Sequence, residues 1–279
     1  MSLTFGARLS ELTASRGPLC VGIDPHPGLL AAWGLPDDVS GLERFALTCV
    51  EALAGSVAVV KPQAAFFERF GSRGIAVLER VLADLRSGGA LSVVDAKRGD
   101  IGSTMAAYAD AYAGEGSPLA GDAVTASPFL GFGSLSPLLD LAAKTGRGVF
   151  VLALTSNPEG GSVQLARGAD GRTVGQAVVD DVAARNAGAA PLGSVGVVIG
   201  ATVTGEARSV DLGALNGPIL APGIGAQGAT AADLREVFGA ALPHVLPNSS
   251  REVLAAGPDV RALRDAALRT VDSVRAVLA

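Results

Sequence analysis

The sequence predicts an α/β fold: a single (β/α)8 TIM barrel over residues 1–279, with an N-terminal helix closing its bottom. Three observations carry that expectation. Short β-branched apolar runs alternate with Ala/Leu/Arg-rich stretches along the whole chain. The residues that close those runs are Asp24, Lys61, Asp95, Ser127, Ser156, Thr202, Pro222 and Asn248. They cover 224 residues in seven intervals, a mean of 32, which is the size of one strand–helix unit. The length of 279 residues holds eight such units with no linker or composition shift between them.

Taken in order, a first helix at 3–15 precedes the first strand and is expected to seal the lower end. Strands are expected at 19–23, 57–60, 91–94, 123–125, 148–154, 195–199, 218–220 and 245–246. None of them alternates polar with apolar residues, so each is buried on both faces, as parallel strands sheathed by helices are. Eight is more than a doubly wound open sheet usually needs, which favours closure. Helices are expected among the intervening segments at 42–53, 75–85, 105–112, 174–186 and 231–241. In the second of these, Leu78, Val81, Leu82 and Leu85 fall at i, i+3, i+4 and i+7, while Glu79, Arg80, Asp84 and Arg86 take the outer face. His244 reads as the start of the eighth strand. The Gly-rich polar segment 159–172 reads as a lid or a larger surface loop.

Composition excludes several classes. The chain is 49% hydrophobic with a mean hydropathy of +0.41. Its apolar runs, such as 149–154, nevertheless fall far short of the ~18 residues that span a bilayer, so no membrane segment is expected. The start MSLTFGARLS lacks the basic-then-apolar pattern of a secretory leader. Cys20 and Cys49 sit in apolar patterns and read as reduced buried thiols, which suits the cytoplasm. A net charge of −5, a pI near 5.1 and no Lys/Arg block argue against a nucleic-acid partner. Two His and two Cys, none at ligand spacing, give no metal site.

Barrel sites form at the carboxyl ends of the strands, and the segment SVVDAKRGDIGST at 92–104 lies at one. Asp95 and Lys97, two residues apart on a strand, project to one side, and Asp100 comes off the following loop. Three charges beside a strand of Val and Leu are costly unless they satisfy one another or a ligand. Spacing alone also fits a structural ion-pair cluster. Lys61 ends the adjacent strand and can reach Asp95, giving a neutral row Lys61–Asp95–Lys97–Asp100 that could hold a lysine ready to deliver a proton. The loops after strands seven and eight carry Gly223, Gly225 and Gln227, and then Asn248 and Arg251. Glycines there let backbone N–H groups approach a phosphate, and Arg251 offers a fork of donors. Gly223, Gly225 and Gly228 also match a dinucleotide fingerprint. They lie near the carboxyl end, however, with no clear acidic residue about 20 positions on, and that reading leaves Asp24, Asp95 and Lys97 unexplained.

Six motifs follow one another over almost the whole chain: VGIDPHP at 21–27, KPQAAFFE at 61–68, DAKRGDIGST at 95–104, LTSNPEGG at 154–161, PGIGAQG at 222–228 and NSSR at 248–251. In them the sequence resembles the orotidine 5′-phosphate decarboxylase family, and its SNP and NSSR forms resemble the larger bacterial members. The resemblance implies cofactor-free and metal-free decarboxylation of orotidine 5′-monophosphate to uridine 5′-monophosphate, the last step of pyrimidine synthesis. It implies Lys97 as the proton donor to C6, preorganised by Asp95 and Asp100, with Lys61 orienting Asp95 and contacting the ribose. Asp24 would accept from a ribose hydroxyl and Ser156 would contact the pyrimidine. Gln227 would bridge phosphate and base, while Arg251, Gly223 and Gly225 hold the phosphate. Asp100 and Thr104 would reach across the interface of a homodimer. No role follows for Ser127 or Thr202, and His26 fits a substrate contact and a structural turn equally. Two alternatives share part of this pattern: a magnesium-dependent sugar-phosphate lyase or decarboxylase of the same superfamily, and a phosphate-binding barrel without catalysis.

Overall fold

Eight parallel strands pair in chain order, and the eighth returns to the first to close the expected barrel. The structure, a computed structural model, describes residues 3–203, 210–223 and 231–278. The strands are β1 (Cys20–Ile23), β2 (Val59–Pro62), β3 (Leu91–Arg98), β4 (Ala123–Ala126), β5 (Gly148–Leu154), β6 (Val195–Ile199), β7 (Ile219–Pro222) and β8 (Val245–Ser249). Every expected strand is present, and the differences lie at the ends. Lys61, Asp95 and Asn248 fall inside β2, β3 and β8 rather than closing them. His244 does not begin β8. The Val245 N–H bonds to the Leu242 carbonyl, which closes a 3-10 turn over Gly239–His244 and keeps His244 out of the ladder.

Helix α1 (Phe5–Arg16) precedes the barrel, and α2 (Pro27–Ala32) and α3 (Val39–Leu53) join β1 to β2. Next come α4 (Ala64–Glu68) and α5 (Gly71–Gly88), then α6 (Gly102–Ala113) after β3 and α7 (Ser136–Lys144) after β4. The remainder are α8 (Gly161–Gln164), α9 (Val174–Arg185), α10 (Ala231–Phe238), α11 (Arg251–Leu254) and α12 (Val260–Leu278). Caps follow from the sequence. The Asp38 carboxylate accepts from the Ser40 and Gly41 N–H groups at 2.8 and 3.0 Å to start α3, and Gly89 at φ 82° ends α5. The apolar stripe expected on α5 is fully buried. Among the described residues no helix is long and apolar enough to cross a membrane. The high hydropathy instead has its source in strands buried on both faces, with one apolar layer inside the barrel and another between strands and helices.

Helix α1 does seal the bottom. Phe5 and Leu9 join the inward cluster with Val59, Leu91, Val93 and Phe150, and the rings of Phe5 and Phe150 meet edge to face at 5.9 Å. Only glycine fits at 148, where a Cβ would lie 2.3 Å from the Phe5 ring. Arg8 anchors the same helix to Asp122 and, at 3.0 Å, to the Gly146 carbonyl. Phe5→Ala is therefore expected to cost about 3–5 kcal/mol of unfolding free energy. Leu3→Ala, at a position 53% exposed, should change it by less than about 0.5 kcal/mol. Denaturant titration of both variants checks this; equal stabilities would mean that α1 does not seal the barrel.

Candidate active site

The carboxyl ends of the strands open into a cavity of about 400 Å³. It gathers Asp24 from the end of β1, Lys61 from β2, Asp95 and Lys97 from β3, Ser156 beyond β5, Gly223 beyond β7 and Arg251 beyond β8. Side chains distant in sequence are thus brought together at one end of the barrel.

Asp95 is the centre of this arrangement. One oxygen, Oδ2, accepts from Lys61 Nζ at 2.9 Å and Gln63 Nε2 at 3.0 Å. The other, Oδ1, accepts from Lys97 Nζ at 2.6 Å and Thr125 Oγ1 at 2.8 Å. Asp95 is 7% exposed and Lys61 4%. Burial alone would push the Asp95 carboxyl up, but the Lys61 and Lys97 charges, reinforced by their hydrogen bonds, outweigh it and hold the group well below the usual carboxylate range. Burial would likewise lower Lys61, yet the charges of Asp95 and Asp24 carry it above the usual lysine value. The chain has three lysines; two converge on Asp95, and the third, Lys144, is exposed on α7. Cys20 lies near this cluster with its thiol pushed up to about 12 by burial, and burial pushes Cys49 up as well, so both are inert thiols.

The shared side of Asp95 and Lys97 does not come from plain strand alternation. The β3–β4 register is regular to Val94 and resumes, shifted, at Arg98 opposite Ala126. Between them Lys97 takes φ 48°, a conformation that residues with a Cβ rarely adopt. Its N–H donates to Thr125 Oγ1 at 2.9 Å, so one hydroxyl fixes both the Lys97 backbone and the Asp95 carboxylate. Gln63 and Thr125 escape the sequence reading. Gln63 carried a usable signal, being two residues beyond Lys61 and so on the same side, and it bridges to Asp95. Thr125 offered only a lone hydroxyl in an apolar strand.

Other expected residues are distributed unevenly. Asp24 Oδ1 lies 3.9 Å from Lys61 Nζ and, like Asn248 Oδ1, is buried with no hydrogen-bond partner among the described residues; both residues line the cavity. Asp100 accepts from the Ile101 N–H at 2.8 Å, and among the described residues no ion pair joins it to Lys97. Within one chain the charge row therefore ends at Lys97. Thr104 is exposed on α6 and does not line the cavity. His26 lines it with its ring 4.4 Å from that of Phe66, whereas Ser127 and Thr202 do not. Gly223, at φ 107°, lines it too; Gly225 and Gln227 lie outside the described residues. Segment 159–172 is folded rather than an open loop. It contains α8, and Gln164 accepts from the Thr155 N–H at 2.8 Å and donates to Thr155 Oγ1 at 2.7 Å, pinning α8 beside Ser156. Among the described residues no cluster of His, Cys, Asp or Glu is placed to hold a metal. The cavity thus offers a half-exposed ammonium on a buried anion, carboxylate and amide oxygens free to accept from hydroxyls, and a guanidinium suited to an anion.

The model of the orotidine 5′-phosphate decarboxylase / HUMPS family matches residues 17–266. Orotidine 5′-phosphate decarboxylase of Salinispora arenicola is 68% identical over 275 residues, covering 99% of this chain and 98% of that protein. A crystal structure from Streptomyces avermitilis superposes with a TM-score of 0.96 at 63% identity, over 99% of this chain and 96% of the other. The OMP decarboxylase structure of Leishmania donovani gives 0.77 at 32% identity, over 98% and 99%.

The lowered Asp95 and raised Lys61 make stability depend on pH. Asp95 titrates lower when folded, so its contribution is complete above about pH 4 and is lost as pH falls below that. Lys61 titrates higher when folded, so its contribution is complete below about pH 10 and is lost as pH rises beyond. Asp95→Asn leaves two ammonium groups facing each other and should cost about 3–5 kcal/mol near neutral pH, while flattening the acid limb of the stability curve. Unfolding measured across pH checks it; an unchanged acid limb would remove Asp95 from the centre of the network.

Proposed function

The chain belongs to the orotidine 5′-phosphate decarboxylase / HUMPS family, and from that premise we propose that it converts orotidine 5′-monophosphate to uridine 5′-monophosphate and CO2, completing pyrimidine synthesis. The observation that carries this reading is the buried Asp95 carboxylate held between two lysine ammoniums on the cavity wall. Loss of CO2 leaves an electron pair on C6 of the pyrimidine, with no neighbouring carbonyl placed to delocalise it. The site must supply localised positive charge and a proton. Lys97 suits both tasks: its side chain is 45% exposed, whereas that of Lys61 is 5% exposed. In the proposed step the C6–carboxylate bond breaks, CO2 leaves, and Lys97 Nζ gives its proton to C6 and regains one from solvent.

The remaining assignments extend the same reading. The Asp95 charge meets the departing carboxylate and opposes its binding in the ground state. Lys61 keeps Asp95 in place and faces the ribose, where Asp24 Oδ1 accepts from a hydroxyl. Ser156 contacts the base, and Arg251 with the Gly223 loop, including Gly225 and Gln227, takes the phosphate. The proposed step needs no cofactor, and the two ammoniums at Asp95 repel a metal cation there. This single catalytic domain works in the cytoplasm as a homodimer in which Asp100 and Thr104 enter the partner's site. Ile101, Phe129 and Leu130, 61%, 76% and 52% exposed, support that pairing. They sit on the loops after β3 and β4, which approach so closely that a Cβ on Gly99 would lie 2.3 Å from the Ser127 carbonyl oxygen.

Purified protein with orotidine 5′-monophosphate and EDTA should bleach the orotate absorbance, and Lys97→Ala should slow this about 10²- to 10⁴-fold while substrate still binds. No bleaching by the wild type overturns the reading, activity abolished by EDTA points to the metal-dependent lyase, and binding without turnover to the non-catalytic barrel. Mixing inactive Lys97→Ala and Asp100→Ala subunits should restore activity, because one site of each heterodimer keeps both residues. Mixtures that stay inactive would remove Asp100 from the shared site.

A further inference from the structure

We propose that Arg98 is a positioning residue whose guanidinium clamps the turn carrying Lys97 and so keeps the Lys97 ammonium on Asp95. The left-handed backbone of Lys97 is unfavourable for any residue with a Cβ and persists only where its surroundings fix it. The Ala96–Lys97 peptide is gripped at both of its polar ends. Its N–H donates to Thr125 Oγ1 at 2.9 Å, and its carbonyl accepts from Arg98 Nη1 at 3.0 Å. The orientation of that peptide, together with the carbonyl of Lys97 that follows, sets φ of Lys97. The staple is therefore applied at the strained bond itself.

Arg98 is in turn tied to two helices and a strand. Its Nη2 donates to the Glu68 carboxylate on α4 and to Tyr112 Oη on α6 at 3.1 Å. The guanidinium lies over the rings of Tyr108 and Tyr112, 5.6 and 5.5 Å from their centroids. Its own carbonyl accepts from the Ser127 N–H at 2.8 Å. Arg98 does not line the 400 Å³ cavity; it lines an adjoining one of about 420 Å³ beside Lys97, Asp95 and Glu68, where its guanidinium is engaged by the Ala96 carbonyl, Glu68 and Tyr112, and its role is assigned through Lys97. A lysine could not replace it, because only the planar fork serves the Ala96 carbonyl from one nitrogen and Glu68 with Tyr112 from another.

The kinetic half of the test rests on the decarboxylase reading, and the chemical half does not. With three lysines in the chain, acetylation of Lys97 can be read by mass spectrometry against Lys144 as an internal reference. In Arg98→Ala, Lys97 should acetylate several-fold faster than in the wild type, relative to Lys144. Glu68→Gln, which keeps the guanidinium but loosens its anchor, should shift labelling the same way by less. On orotidine 5′-monophosphate, kcat of Arg98→Ala should fall about 10- to 100-fold with KM little changed. Guanidinium ion should restore part of kcat to Arg98→Ala and none to Lys97→Ala. Unchanged Lys97 labelling in both variants overturns the clamp, as does an unchanged kcat in a wild-type enzyme that is active. If Arg98→Ala does not fold, Glu68→Gln and Tyr112→Phe decide by the same two readouts. A wild type without turnover sinks the decarboxylase reading and leaves the labelling to judge the clamp.

Discussion

A carboxylate withdrawn almost wholly from water, Asp95, is the constraint around which the upper half of this barrel is arranged. An isolated charge in that place would take a proton or unfold its surroundings. It stays ionised because four donors from three neighbouring strands and the extension of one of them fill its oxygens. Lys61 and Gln63 reach it from the β2 side, Lys97 from β3 and Thr125 from β4. Each donor is in place only if β2, β3 and β4 lie side by side in their observed register. The ion cluster and the strand order therefore depend on each other. A slip of one residue in any of the three strands would turn a donor away and leave a buried charge uncompensated.

That arrangement is tolerable because the two ends of the barrel do different work. The lower end is apolar, sealed by α1 through Phe5 and Leu9, with Arg8 fastening the helix from outside. The upper end concentrates charge and leaves acceptors on Asp24 and Asn248 without hydrogen-bond partners among the described residues. Stability supplied by the apolar layers allows the polar end to keep groups in geometries that would not persist alone. The left-handed backbone of Lys97 is one of them.

The division between what the residues announce and what they conceal follows the same lines. Strand number and order are legible because each strand–helix unit must bury its own apolar run, and that requirement repeats every 32 residues on average. Strand ends are less legible, since they are set by pairing across the barrel. Val57 and Ala58 are as apolar as Val59 and Val60, yet β2 begins at Val59. Lys61, Asp95 and Lys97 stand out as charges in apolar surroundings, while Thr125 does not, its hydroxyl being an ordinary feature of a strand. The φ of Lys97 is hidden altogether, because alternation assumes a regular strand and this one leaves its register between Val94 and Arg98. Asp100 shows a different limit. The spacing places it near Lys97, yet among the described residues no ion pair joins the two.

Two lysines on one carboxylate are not redundant, because their exposures separate them. Lys61 is enclosed, its charge balanced by Asp95 and, at longer range, by Asp24. Lys97 is half exposed and has Asp95 as its sole ion-pair partner among the described residues. In the proposed reaction Lys97 gives up a proton, and a carboxylate that relied on it alone would then sit buried with no counter-charge. Lys61, Gln63 and Thr125 remain unchanged, so Asp95 keeps their hydrogen bonds and one full positive charge through that step. Lys61, Lys97 and Asp95 sum to +1, and Asp24, 3.9 Å from Lys61 Nζ, balances the buried lysine, so the exposed Lys97 ammonium is the positive charge presented to the cavity. In the proposed reaction the negative charge moves to C6 as CO2 leaves, and the Lys97 ammonium is the charge placed to meet it. In that proposal the buried lysine keeps Asp95 compensated while the exposed one gives up its proton, a role that offsets the cost of holding Lys61 inside the barrel.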